Sequence, residues 1–176
     1  TNCNFVNNFA FTHGGAVFFD GGGSVSNCNF VDNKATGDDS YGGAVYFNDD
    51  GNVTNCNFTG NTATGDGGAV YFESTGNVSN CNFAGNNASI DGGTVYFEST
   101  GNVSNCNFTG NTAYYDGGAV YFESTGNVSN CNFNNNKATG DYGVGGGAIR
   151  MSSGTVTNCN FTDNSATVNG GAVYFV

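Results

Sequence analysis

Thiols and carboxylates are the side chains here whose type and spacing suit chemistry. The thiols are Cys3, Cys28, Cys56, Cys81, Cys106, Cys131 and Cys159, separated by 25, 28, 25, 25, 25 and 28 residues, each within Asn-Cys-Asn-Phe. A zinc site needs ligands that converge on one point. Equal spacing puts thiols in a line instead. Strands stacked at ~4.8 Å also hold successive thiols farther apart than the ~3.8 Å Cβ separation of a disulfide. The cysteines therefore read as a column of small buried hydrophobes, with no metal site and no disulfides between successive coils.

The carboxylates also form rows. Asp66, Asp91 and Asp116 stand immediately before Gly-Gly pairs, and Glu73, Glu98 and Glu123 stand at one shared position further on. Copies ~4.8 Å apart repel by about 1 kcal/mol even in water, so either solvent and salt screen them or Ca²⁺ bridges them. Asp38, Asp39, Asp49 and Asp50 add acidity near the second loop, but no calcium-loop motif is present. Glycoside hydrolysis needs one distinct pair of carboxylates in a cleft, whereas these recur in successive units. Lys34 and Lys137 share one position of the unit and Arg150 stands at another, so no basic residue falls within either acid row. The only histidine, His13, has no Ser-His-Asp or Cys-His partner set. These residues predict no catalysis and no cofactor, Ca²⁺ at the acid rows excepted.

Composition narrows the partners. Of 176 residues, 3 are Lys or Arg and 14 are Asp or Glu, a net charge of −11. That excludes a nucleic-acid binder and a basic membrane-surface binder. No apolar run approaches the ~20 residues of a membrane helix. Hydrophobic residues make up 38% of the chain, enough to bury a core. Asparagine, at 31 residues, is present at several times its usual share.

The elements that position these rows follow from the repeat. After each cysteine and a variable loop comes a Gly-Gly pair, from Gly14-Gly15 to Gly170-Gly171. Large insertions fall only in that loop, in the second and sixth units, so it lies on the surface. Cys81 and Phe83 are two apart, as are Val95 and Phe97, which is strand spacing. Steps of three, Val78 to Cys81 and Phe83 to Asn86, reverse the face and require bends. Three short strands per coil are expected, joined by two bends and a loop, with Asn80-type and Asn86-type residues at the bends. No 3.6-residue stripe supports a helix. The fold class is all-β: a right-handed parallel β-helix of about seven coils of about 25 residues, the hand following the crossover rule. Core columns of Val78, Cys81, Phe83, Ala88, Val95 and Phe97 type are expected. Arg150 and Thr94 interrupt the alternate rows, so the Tyr row is expected to face solvent.

Phe-x-x-Asn, as in Phe83–Asn86, recurs in all seven units and is followed by Gly-Gly-Ala-Val or a close variant. This pairing resembles the repeats of chlamydial polymorphic outer-membrane proteins. With Asn-Cys-Asn-Phe and the asparagine excess, the chain is similar to the adhesin-like β-helix proteins of methanogenic archaea. The resemblance covers the whole chain and implies a secreted, surface-displayed adhesin or cell-wall protein. Such folds also carry polysaccharide lyases and hydrolases, so the runner-up function is polysaccharide binding or cleavage.

Two sets of site residues are expected. Tyr46, Tyr71, Tyr96, Tyr121 and Tyr174 would form an outward aromatic stripe able to bind a glycan or a partner protein, or to stabilise the strands by stacking. Asn57, Asn107 and Asn160 lie between inward residues within Asn-x-Thr, so they are outward acceptors for glycosylation of a secreted chain. Residues 1–176 are expected to form one β-helix domain excerpted from a longer solenoid, or a subunit stacking on copies of itself.

Overall fold

In the computed structural model, residues 1–142 and 145–176 are described. Each coil carries four short strand segments, as in Gly76–Ser79, Asn82–Ala84, Asn87–Ala88 and Val95–Phe97. Equivalent segments of neighbouring coils pair in parallel, with identical positions in register: Phe83 lies between Phe58 and Phe108. The segments collect into three sheets. Two have seven strands each, and the third joins the Val95–Phe97 and Gly76–Ser79 types. In the fifth and sixth coils those two types run on as single strands, Val120–Ser129 and Ile149–Thr157. The fold is therefore an all-β parallel solenoid of seven coils.

Three left-handed residues turn the corners of every coil. The residue before each cysteine is always asparagine, with φ of 52–57°. The residue before each Asn86-type position is Gly60, Gly85 or Gly110 in three coils and Asn or Asp in the others, with φ of 53–66°. The first glycine of each Gly-Gly pair supplies the third, with φ from 54 to 80°. Asn, Asp and Gly tolerate this backbone region at little cost, which is how the odd-numbered steps are accommodated. The second glycine of the pair has a different cause. A Cβ on Gly93 would collide with the carbonyl oxygen of Gly118 in the next coil.

The expected division of asparagine labour needs correction. Asn80-type residues do take the left-handed corner, but Asn86-type residues follow it and face inward. Asn33, Asn61, Asn86, Asn111 and Asn136 are buried. The Asn86 Nδ2 donates to Asn111 Oδ1 (3.0 Å) and to the Phe58 carbonyl (3.1 Å), and its backbone N–H donates to the same Asn111 oxygen (2.9 Å). Both amide donors and the oxygen are thus used, so burial leaves nothing orphaned.

Side chains inside the three sheets form columns. Phe30, Phe58, Phe83, Phe108 and Phe133 stack with ring centroids 4.7–4.9 Å apart, and Phe47, Phe72, Phe97 and Phe122 do the same at 4.7–4.9 Å. Burying each ring is worth about 1.5–3 kcal/mol. The Val, Cys, Phe and Ala columns expected from the sequence are buried. The row of Ala44, Ala69, Thr94, Ala119 and Ala148 is buried too, although Thr94 interrupts it. Its residues fill the space behind the Gly-Gly corner.

Candidate functional site: rows on the outer surface

The cysteines line up as one column of free thiols, with Cys28, Cys56, Cys81, Cys106 and Cys131 buried. The N–H of Cys56 donates to Cys81 Sγ at 3.4 Å, and each thiol donates back to the carbonyl two residues earlier, as Cys81 does to Ser79 at 3.1 Å. Burial pushes the Cys56 thiol up, so it stays protonated at neutral pH and is a poor nucleophile. The column is structural packing with a weak hydrogen-bond ladder added.

The tyrosine row does not face solvent, and this corrects the expected binding stripe. Tyr46, Tyr71, Tyr96 and Tyr121 point away from the Phe core but retain only 6–8% exposure; Tyr174 alone is half-buried. Their rings stack at 4.7–5.2 Å with interplanar angles of 2–6°. The row of residues before the Gly-Gly pairs closes over them. In the first two coils these are His13, stacked on Tyr41 (5.1 Å) and Tyr46 (4.9 Å), and Tyr41, stacked on Tyr71 (4.9 Å). In the next three coils they are Asp66, Asp91 and Asp116. Burial lowers the His13 pKa, and its Nδ1 accepts the Tyr41 N–H at 3.2 Å, so its imidazole is committed to the stack.

Both acid rows serve this outer layer. Tyr46 donates to Glu73 (2.6 Å), Tyr71 to Glu98 (2.8 Å) and Tyr96 to Glu123 (2.9 Å), always to the next coil. The buried hydroxyls thereby find acceptors while the glutamates stay exposed. Tyr121 has no glutamate in register. The Arg150 guanidinium lies 4.5 Å from its ring centroid instead and donates to the Phe122 carbonyl. Burial pushes the Tyr121 hydroxyl up to about 12, against the pull of Arg150.

The aspartates are tied to backbone. Asp66 Oδ1 accepts the Asp91 N–H (2.8 Å), Asp91 Oδ1 the Asp116 N–H (2.8 Å), and Asp116 Oδ1 the Gly145 N–H (2.6 Å). Burial raises Asp66 to about 6, and burial with the Asp66 charge beneath raises Asp91 to about 7. Burial thus favours the protonated form of these two carboxyls, which lessens their mutual repulsion. Among the described residues, no three His, Cys, Asp or Glu side chains gather as a metal site, and no concave pocket is present.

Asn57, Asn107 and Asn160 are exposed, as their spacing predicted. Asn57 and Asn107 belong to an outer ladder in which each Nδ2 donates to the preceding coil's oxygen at 2.8–2.9 Å, from Asn29 to Asn132. A second exposed ladder links Asn52, Asn77, Asn102 and Asn127 at 3.0–3.2 Å. The sequence reading passed over Tyr114, Tyr115 and Tyr142. They are exposed in the variable loop. The available signal is an aromatic residue in a loop that is polar in the third coil, Thr64-Gly65, with Phe11 of the first coil at the Tyr114 position.

Residues 1–161 match the family described as the right handed beta helix region, and the chain belongs to it. Residues 158–176 match the repeat of the Chlamydia polymorphic membrane protein. No curated protein and no solved structure matches the chain.

Proposed function

We propose that the chain is a non-catalytic, extracellular, adhesin-like β-helix module that displays a repetitive Asn- and acid-rich surface for adhesion or assembly. Its partners in this reading are cell-surface proteins or glycans, together with further coils of a longer solenoid or copies of itself. The carrying observation is that the ionisable rows are committed to holding coils together: Asp to backbone N–H groups, Glu to tyrosine hydroxyls, thiols to backbone. Groups so occupied stabilise a scaffold rather than turn over a substrate. The polymorphic membrane protein repeat supports display at a surface. No cofactor is required.

The test is an array of neutral and charged glycans and of surface proteins, run beside a polysaccharide-cleavage assay. Binding without cleavage is expected. Cleavage abolished by Asp91→Asn or Glu98→Gln would overturn the non-catalytic reading.

A further inference from the structure

Away from the first and last coils, the described large apolar side chains that are well exposed are three. They are Tyr114 (45%), Tyr115 (37%) and Tyr142 (89%). All three sit in the variable loop, Tyr114 and Tyr115 in the fifth coil and Tyr142 in the sixth. The third coil has Thr64-Gly65 and the fourth Ser89-Ile90 where the fifth has this tyrosine pair, and the first coil has Phe11 at the Tyr114 position, packed on Gly37 as Tyr114 is on Gly140. The tyrosine pair breaks the stacking rule. Tyr114 and Tyr115 meet edge to face, with centroids 4.8 Å apart and an interplanar angle of 81°, and belong to no axial column.

The backbone beneath Tyr114 and Tyr115 is held. The Tyr115 N–H donates to the Ile90 carbonyl (3.0 Å), and the Gly140 N–H donates to the Tyr114 carbonyl. The Tyr114 ring lies over Gly140, where an added Cβ would meet its ring carbons at 3.0–3.1 Å. Fixed loop backbone with rigid, amphipathic, outward rings is the composition of a protein recognition surface, since a tyrosine orders few torsions on binding.

Charge selects the occupant. The chain carries −11 overall, and exposed Asp141 precedes Tyr142. Such a surface repels polyanions and draws in cations. The molecule already shows how its tyrosines take a cation, with the Arg150 guanidinium 4.5 Å over the Tyr121 ring. We propose that Tyr114, Tyr115 and Tyr142 form a docking platform for an arginine-bearing, cationic segment of a partner protein. This rests on the adhesin-like reading above and supplies the chemistry of its partner.

The experiment is titration calorimetry of the full chain with equal-length peptides rich in Arg, Lys or Gln, and with neutral oligosaccharides. Arg peptides should bind more tightly than Lys peptides, Gln peptides at least tenfold more weakly, and added salt should weaken the Arg complex. The triple variant Tyr114→Ala, Tyr115→Ala, Tyr142→Ala should lose about tenfold in Arg-peptide affinity. It should still unfold in one cooperative transition at a slightly lower thermal midpoint, because the rings lie outside the core columns, so a loss of affinity is not a loss of fold. Equal affinity in the triple variant, Gln peptides binding as tightly as Arg, or oligosaccharides alone binding at this loop would each overturn the platform. Beads coated with either chain separate the two levels of the argument. Adhesion retained by the triple variant sinks the platform and leaves the adhesin reading standing. Absence of adhesion by the unsubstituted chain sinks that reading itself.

Discussion

The inner Phe column and the outer Tyr column stack rings at nearly the same spacing, 4.7–4.9 Å against 4.7–5.2 Å, yet they are held by different means. Phe30 to Phe133 is unbroken, and its rings need only be kept from water. The Tyr column begins with Phe18, ends its run of tyrosines at Arg150, and depends on partners that change along the axis. Glutamates serve Tyr46, Tyr71 and Tyr96, a guanidinium serves Tyr121, and His13 and Tyr41 cover the early coils. The same register therefore gives one column that tolerates no chemical variation and one that accepts it wherever another partner is at hand. Variation tied to partners is where a scaffold becomes specific.

The largest effect should separate the columns directly. Phe83→Ala opens a cavity between two stacked rings in a fully enclosed site and should cost about 3–5 kcal/mol. Tyr96→Phe keeps the ring stack and removes one hydroxyl, leaving the exposed Glu123 to water, and should cost about 1 kcal/mol. Urea denaturation of both variants measures the difference. Similar losses would mean that the hydroxyl–carboxylate row, rather than ring burial, carries the outer layer.

A second contrast lies within asparagine. Asn86→Ala removes the oxygen that receives two donors from Asn61 and should cost about 3 kcal/mol, because those buried groups lose their partner. Asn82→Ala breaks an exposed ladder whose members turn to water, and should stay within about 0.5 kcal/mol. Equal costs would show that the surface ladders are as structural as the buried one.

This distinction marks how far the sequence could be read. The spacing of Cys81, Phe83 and Val95 made parallel coils and most core columns legible. Periodicity cannot tell whether an outward side chain is covered, and that depends on the chain crossing above it. Arg150 in the same row argues for a solvent-facing Tyr71, but Arg150 sits half-buried on a ring face, its Nη1 donating to the Phe122 carbonyl and its Nε buried without a partner. The aspartates were read as mutually repelling because their backbone partners, one coil away, are invisible in a one-dimensional pattern. Tyr114 and Tyr115 escape the pattern for the opposite reason: they lie in the loop whose sequence varies from coil to coil.

Acidity should act on the outer layer alone. Asp66 and Asp91, raised to about 6 and about 7 from an unfolded value of 3.8, bind protons more tightly when folded. Their contribution is fully present below about pH 4 and is lost as pH rises through 6–7. The thermal midpoint should therefore rise as pH falls from 8 to 5. Asp91→Asn keeps an oxygen for the Asp116 N–H, removes the charge, and should flatten that slope while stabilising the chain at pH 8. A midpoint that falls on acidification, or a slope unchanged in Asp91→Asn, would contradict the burial of these carboxylates.

The smallest effect concerns a place where the repeat departs from its own rule. Thr94 stands where Ala44, Ala69, Ala119 and Ala148 stand in other coils, and it is fully buried with its Oγ1 lacking a hydrogen-bond partner. An unmatched buried hydroxyl costs about 1–3 kcal/mol, while the methyl that accompanies it returns about 1 kcal/mol by burial. The neighbouring coils show that the site accepts alanine without a change of backbone: Thr94 and Ala119 accept equivalent N–H pairs at 2.8–3.0 Å. Thr94→Ala should therefore be neutral or stabilising by up to about 1 kcal/mol, in contrast to every inward truncation considered above. A loss beyond 1 kcal/mol in urea denaturation would mean that the hydroxyl has a partner in solution, such as a trapped water, and that the Ala row is less tightly closed than the Phe column beside it.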